Sequence, residues 1–263
     1  MALGTVTRLQ AYLDPLLFLA VAVYGLLLVL LDAFTFQLKT KDLLNRNMMS
    51  DKVFGKVWLK LNKRIATSQL ETSLPALVAS ASGTILEVGP GSGSQLPRYD
   101  KSKITKIYGV EPNVDLHDAL QKTVKQCGLS DIYTIVLCGA EDFQTLASYG
   151  IEKGSVDTIL SVQVICSVPE PQKTVSGMYE LLRPGGQMII YEHVESHDAV
   201  SRIVQGIYNV VWPFPFGGCH LDRPTGKYLM KAGKWSRVEL EPKKEEDDWS
   251  LFPRVVGRLT KAN

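Results

Sequence analysis

The sequence predicts an α/β domain built on a mostly parallel, seven-stranded sheet with one antiparallel edge strand, preceded by an N-terminal membrane helix. Three observations predict it. From residue 84 onward short β-rich runs alternate with helical patterns, the signature of βα units. The last two strands are separated only by a charged loop, which is too short for a parallel crossover, so one of them must run antiparallel. Finally, the run PLLFLAVAVYGLLLVLL from Pro15 to Leu31 carries no charge at all.

That apolar run comes first in the chain. Extended through Ala33 to Leu38, it reaches the roughly 20 residues a spanning helix needs, with Asp32 as its one charge. Its apolar core is longer than that of a cleaved signal peptide, and no small-x-small cleavage site follows directly. Insertion in the plane of the membrane stays open beside spanning. After it, Lys39, Lys41, Arg46, Lys52, Lys56, Lys60, Lys63 and Arg64 face only Asp42 and Asp51, whereas the N-terminal flank offers Arg8 and the terminus. The positive-inside rule then keeps the following domain in the cytosol, where the basic stretch can rest on anionic lipid headgroups. The same stretch equally reads as a solvated helix, with Val53, Phe54, Val57, Trp58 and Leu61 at helical spacing on its apolar side. The expected organisation is a membrane anchor over 1–38, a basic juxtamembrane helical segment over 39–80 and the α/β domain over 81–263.

Within that domain the strands are Thr84 to Val88, Lys106 to Val110, Ile132 to Leu137, Val156 to Ser161 and Gln187 to Tyr191. Val114 to Cys127 puts Leu116, Ala119, Leu120, Val124 and Cys127 on one helical stripe, ended by Gly128. Residues 172–182 make a second stripe with Val175, Met178, Leu181 and Leu182, stopped by the turn Arg183-Pro184-Gly185-Gly186. Trp235 to Glu241 reads as the sixth strand and Phe252 to Thr260 as the last.

Composition narrows the function classes. With 263 residues and 21% charged side chains the chain is large enough for one well-buried α/β domain and an appendage. A net charge of +2 and the absence of an aromatic-rich basic stripe argue against a nucleic-acid partner. Cys127, Cys138, Cys166 and Cys219 lie far apart, without the paired spacing of a zinc site or a disulfide framework, so the sequence predicts no metal and a reducing compartment.

The chemistry concentrates after the strands, since ligands of open α/β sheets bind outside their carboxyl ends. Strand one ends at Glu87 and runs into Gly89, Gly91 and Gly93. Glycine there allows a tight turn and lets a ligand approach backbone N–H groups. Ser94 stands where the phosphate-binding fingerprint needs its third glycine, which weakens a pyrophosphate reading. The carboxylate of Glu87 suits a cofactor with positive charge, and S-adenosylmethionine carries both a sulfonium and an ammonium. Glu111, followed by Pro112, can accept both ribose hydroxyls, or be a helix-start acid. Gly139-Ala140-Glu141-Asp142 offers a small residue and a carboxylate to an adenine amino group; Glu141 and Asp142 equally read as an N-cap and first-turn pair. Ser161, which ends strand four, and Gln163 just after it complete the cofactor-binding set.

On these residues the chain resembles the class I S-adenosylmethionine-dependent methyltransferases, over about residues 80 to 263. Glu87-Val-Gly-Pro-Gly-Ser-Gly93 looks like their first motif, Glu111 like their ribose acid, Gly139-Ala140-Glu141 like their adenine motif, and Leu182-Arg-Pro-Gly-Gly186 like the turn before strand five. The resemblance implies a Rossmann-like fold. A narrower likeness is to the membrane-anchored methyltransferase-like seven group, through the apolar N-terminus, Ser155-Val-Asp157, Cys166-Ser-Val168, Glu192-His-Val194, and Gly218-Cys219 with Leu221 and Arg223. It implies thiol S-methylation at the endoplasmic reticulum or lipid droplets. Pro90, where that group commonly has cysteine, and Trp212-Pro-Phe-Pro-Phe216 depart from its pattern.

Methyl transfer is a displacement at a sulfonium, so the protein mainly supplies orientation and a dry pocket. A thiol acceptor, with an ordinary pKa of about 8.5, needs little help to ionise. His193, immediately after strand five, is the candidate general base, or else a structural histidine of the strand-end loop. Residues 207–221 read as an aromatic, apolar lid over a small hydrophobic acceptor, or as simple packing over the sheet. The adjacency of Cys219 and His220 does not make a nucleophile and base. O- or N-methylation of a lipid, quinone precursor or secondary metabolite is the alternative activity, and a non-catalytic cofactor-binding membrane scaffold is the alternative class.

Overall fold

A computed structural model of the chain describes residues 7–35, 44–244 and 246–263. Both ends of the expected anchor, with Lys39, Lys41 and Asp42 of the basic run, lie outside the described residues, as does Glu245.

The sheet has seven strands: β1 (Gly83–Val88), β2 (Ile104–Val110), β3 (Tyr133–Val136), β4 (Val156–Val162), β5 (Leu182–His193), β6 (Trp235–Pro242) and β7 (Arg254–Lys261), in the order β3-β2-β1-β4-β5-β7-β6. β1 to β5 pair in parallel, while β7 runs antiparallel to both β5 and β6. The antiparallel strand at this edge is therefore β7, tucked between β5 and β6. β5 starts earlier than its sequence suggests. Leu182 already pairs with Val156, and the register shifts before Thr158 meets Gln187. Pro184 and two glycines stop the preceding helix, but an extended backbone remains open to all three.

Apolar side chains pack both faces of the sheet. On one, α3 (Leu74–Ala79) and α4 (His117–Gln126) bury Leu74, Val78, Leu120 and Val124 against Ile85, Ile107 and Ile189. On the other, α5 (Phe143–Ser148), α6 (Pro171–Leu181) and α8 (Thr225–Lys231) bury Leu146, Val175, Met178 and Leu229 against Leu86, Ile159 and Ile190. The stripes expected from the periodicity are these buried faces, except that the first begins as a 3-10 turn, Val114–Leu116, before α4.

A third cluster sits at the carboxyl ends of the strands. It joins α1 (Arg8–Phe34), α2 (Arg46–Ser68) and the segment following α7 (Ala199–Tyr208). Thr7 and Gln10 close a capping box that starts α1. Ala11, Pro15, Ala22, Gly25 and Val29 are buried along it, and Phe18 packs between them. That spacing of alternating threes and fours is a single seam, and small residues let the helices close. A Cβ on Gly25 would stand 2.8 Å from Val57 Cγ2. At its ends α1 is tied down by Arg8 to Asp198 and by Lys56 to Asp32, the latter at 2.8 Å. Tyr208 donates to the Tyr12 carbonyl at 2.8 Å. The helix thus lies along the domain. Its other side stays bare, with Leu9, Leu13, Leu16, Leu17, Val23 and Leu27 exposed.

Candidate cofactor and acceptor site

Strand order reverses between β1 and β4, so the crevice opens outside their carboxyl ends. Its floor is the glycine loop. Gly89 and Gly91 take left-handed φ of +59° and +58°. Added Cβ atoms would come within 2.5 Å of Val164 Cγ2 and of Trp58 Nε1 respectively, so space and backbone both demand glycine. Gly93 brings the loop to α4, where the Thr123 hydroxyl donates to the Ser92 carbonyl at 2.8 Å.

Glu87 ends β1 and is 2% exposed. The Tyr133 hydroxyl donates to its Oε2 at 3.0 Å, whereas Oε1 is buried without a partner. Burial pushes its pKa up to about 7, against the opposing pull of the Tyr133 and Tyr99 hydroxyls. A buried carboxylate oxygen at the wall of a crevice carries a standing desolvation cost that a cationic donor relieves. The ammonium of S-adenosylmethionine is such a donor, so this residue fits that cofactor.

Glu111 binds the loop from the other side. Its Oε2 accepts the Gly91 N–H and its Oε1 the Asn113 N–H, both at 2.9 Å. Burial raises its pKa while the two N–H groups hold it down. A carboxylate has about four acceptor positions, so two remain for hydroxyl donors. The turn after β2 is capped by Asn113, which accepts from the Asp115 N–H at 3.0 Å, not by Glu111. Pro112 beside it is exposed. After β3, Asp142 is the N-cap of α5, accepting from the Thr145 N–H at 3.0 Å. Ala140 is buried and Glu141 exposed, free of that capping role.

Ser161 is fully buried and donates to Glu192 Oε1 at 2.7 Å, so its hydroxyl is engaged at the sheet end and not turned to the crevice. Glu192 also accepts the Val164 and Ile165 N–H groups at 3.0 and 3.1 Å, fixing the loop after β4. Gln163, on that loop, lines the crevice. It is the one non-glycine residue with positive φ, +60°, among the described residues. Strain of this kind persists where the surroundings hold it. Its Oε1 accepts from Gln69 at 3.3 Å and its Nε2 stands 3.1 Å from His193 Nε2.

Sequence reasoning assigned no site residue to α2, yet Trp58, Asn62 and Ile65, with Gln69 at its C-cap, roof the crevice. Asn62 donates to the Ser92 hydroxyl at 2.5 Å. Gln69, 2% exposed, accepts from Gln95 at 2.9 Å and from Arg98 at 3.1 Å. Trp58 Nε1 is buried with no partner.

Beyond Gln163 the crevice meets the third cluster. His193 Nδ1 is buried without a partner, and its ring lies 5.9 Å from that of Phe252. Phe252 packs on Trp212 at 5.4 Å and on Phe18 of α1 at 5.5 Å, and Trp212 stacks on Phe216 at 4.0 Å. The expected lid is thus folded inward at Trp212, Phe216, Cys219 and Leu221, while Val210 and Val211 point out. The fold also brings Cys166, His193 and Cys219 together, their ligand-capable atoms all within 4.8 Å of one another. Their separation in sequence hid this grouping.

Comparison with known proteins bears on the domain as a whole. Residues 86–190 match a family model described as a methyltransferase domain. The thiol S-methyltransferase TMT1B of Rattus norvegicus is 28% identical over 180 residues, 68% of this chain and 70% of its own length. TMT1A of Homo sapiens is 26% identical over 180 residues, again 68% and 70%. An O-methyltransferase family protein from Burkholderia thailandensis shares the fold with a TM-score of 0.57 at 13% identity, over 82% of this chain and 60% of that one. The chain is a class I S-adenosylmethionine-dependent methyltransferase, and it is similar in sequence to thiol S-methyltransferases.

Proposed function

We propose that the protein methylates the sulfur of a small hydrophobic thiol at a membrane surface. The observation that carries this reading is the continuous cluster of packed aromatic rings from Phe18 on α1 through Trp212 and Phe252 to His193, which meets the cofactor crevice at Gln163. Such surroundings favour an apolar acceptor and exclude water, and the similarity to thiol S-methyltransferases supports sulfur as the atom methylated. The cofactor, when bound, supplies the methyl group as an electrophile. On this reading Glu87 meets its ammonium, Glu111 its ribose hydroxyls, Ala140 and Glu141 its adenine, and the glycine loop its amino-acid end. Gln163 and His193 stand between cofactor and acceptor.

Membrane attachment belongs to the same proposal. α1 is apolar enough to cross a bilayer, but its seam with α2 and its ties to Asp198 and Lys56 favour a helix lying in the interface with its leucines down. Val200, Ile203 and Ile207, exposed on α7 alongside, widen that surface. In-plane insertion suits a bilayer and a lipid-droplet monolayer alike, with the domain on the cytosolic side. α2, in the basic juxtamembrane segment, then roofs the crevice.

Incubation of the purified full chain with methyl-labelled S-adenosylmethionine and hexanethiol is expected to yield labelled hexyl methyl sulfide. Cofactor binding without transfer to any of a panel of alkyl and aryl thiols overturns the thiol assignment.

A further inference from the structure

We propose that Cys166, His193 and Cys219 form a three-ligand site for a soft divalent cation, zinc in the first place, whose fourth position faces the acceptor path. The role given to that fourth position rests on the thiol reading above; the metal site itself does not.

Three separate segments bring these groups together: the loop after β4, the end of β5 and the loop after α7. Two thiols and one imidazole are among the donor sets that zinc selects, and three protein ligands with an open position mark sites that act on a bound molecule. The loops carrying the cysteines are stapled to each other. Arg223 donates through Nη1 to the carbonyls of Ile165 and Val168 at 2.8 and 2.6 Å, and the His220 N–H donates to the Cys166 carbonyl at 2.9 Å. Gly218, at φ +79°, lets this contact close, since a Cβ there would be 3.1 Å from the Ser167 carbonyl oxygen. The donors are therefore held in place by the fold, as a metal site requires.

The imidazole is prepared in the same way. Nδ1 is buried and unpartnered, and the Gln163 amide nitrogen stands 3.1 Å from Nε2; ligation through Nδ1 would put the ring proton on Nε2, where the same amide would present its oxygen instead. Cys166 is 2% and Cys219 7% exposed. Cation binding displaces the thiol protons.

The cluster shares its hydrophobic surroundings with Trp212 and Phe216, so an apolar thiol travelling that path arrives at the cation. Binding there converts R–SH to a metal-held thiolate, with the proton passing to solvent. The thiolate lone pair forms the new S–CH3 bond as the sulfonium C–S bond breaks, its electrons remaining on the departing sulfur. The thioether product is a neutral, weak ligand and leaves. His193 is then a ligand, and the acceptor's acidity comes from the cation.

The test is Co2+ titration of the full chain in detergent, after chelation and under reductant. One equivalent is expected to give thiolate charge-transfer absorption. The Cys166→Ser/Cys219→Ser double variant should lose it and bind on the order of 100-fold more weakly, while Cys127→Ser keeps it. X-ray absorption of the zinc-loaded wild type should read two sulfur and one nitrogen ligands, which guards against a misfolded variant. Equal metal affinity in the wild type and a folded double variant overturns the site. Hexanethiol should shift the Co2+ bands. Tight Co2+ binding with no shift, while methyl transfer to hexanethiol proceeds, overturns the acceptor role alone. Tight binding without any thiol turnover leaves the site standing and removes the thiol reading instead.

Discussion

The indole of Trp58 rests on the backbone of Gly91: a Cβ there would lie 2.5 Å from Nε1, and that nitrogen has no partner of its own. A helix following the apolar anchor thereby seals the cofactor loop. Gly91→Ala must both displace the indole and hold alanine at φ +58°. About 1 to 3 kcal/mol of strain and repacking is expected. Calorimetric titration with S-adenosylhomocysteine should show affinity reduced at least tenfold. Wild-type affinity in a folded Gly91→Ala protein would mean that the loop is not the cofactor floor.

Trp58 itself is expected to report binding. Cofactor entering beneath the roof changes the surroundings of this indole, so tryptophan emission should change on titration, and Trp58→Phe should abolish that change while leaving the other three tryptophans to report nothing. A signal that survives Trp58→Phe would locate the cofactor elsewhere.

Glu87 gives a pH dependence of defined sign. Its folded pKa of about 7 lies above the ordinary 4.5. The folded state holds the proton more tightly, so its contribution to stability is fully present below about 4.5 and is lost as pH rises to about 7. The shift corresponds to about 3 kcal/mol. Glu87→Gln should therefore raise Tm above neutrality relative to wild type, with the difference shrinking toward acid pH. Cofactor affinity should move the opposite way in the wild type, rising through pH 7 and levelling off only above it, because the cationic ammonium meets the ionised form. A flat affinity profile from pH 5.5 to 8 would remove Glu87 from the ammonium.

Glu111→Ala leaves two buried N–H groups, those of Gly91 and Asn113, without acceptors, at about 1 to 3 kcal/mol each. Loss of stability is thus expected whatever the ribose role. The ribose assignment is read from cofactor affinity of the folded fraction, which should fall by about 1.5 to 3 kcal/mol more with S-adenosylhomocysteine than with a 2′,3′-dideoxy analogue. Equal losses with both ligands would count against it.

What the sequence disclosed, and what it hid, divides along local and distant contacts. β1 with its glycines, Glu111 after β2 and the stripes of α4 and α6 are written in neighbouring residues, so periodicity and turn chemistry reach them. The seat of Trp58 on Gly91 joins segments that only the folded chain brings together. So does the approach of Cys166 to Cys219, which paired-cysteine spacing cannot reveal. Ser161 follows the strand-end rule in sequence, yet strand alternation sends its hydroxyl to Glu192. An acid ending β5, as Glu87 ends β1, was the available signal for Glu192.

α1 separates its two faces clearly enough to test in-plane attachment. Leu17 is 70% exposed on the outer side and Ala22 5% exposed in the seam. Leu17→Glu should shift the protein from liposomes to the soluble fraction while leaving Tm unchanged, because the new charge meets only lipid. Ala22→Glu buries that charge against α2 and should lower Tm by many degrees. Deletion of residues 1–38 strips cover from Trp212, Phe252 and Val57, so the truncated protein should be released from membranes but be less stable, with weaker binding of apolar thiols. A spanning helix predicts otherwise. Removing it would free a domain of undiminished Tm, and a protease added to sealed vesicles from outside would cut only one flank of α1, whereas an in-plane helix leaves both flanks on the same side.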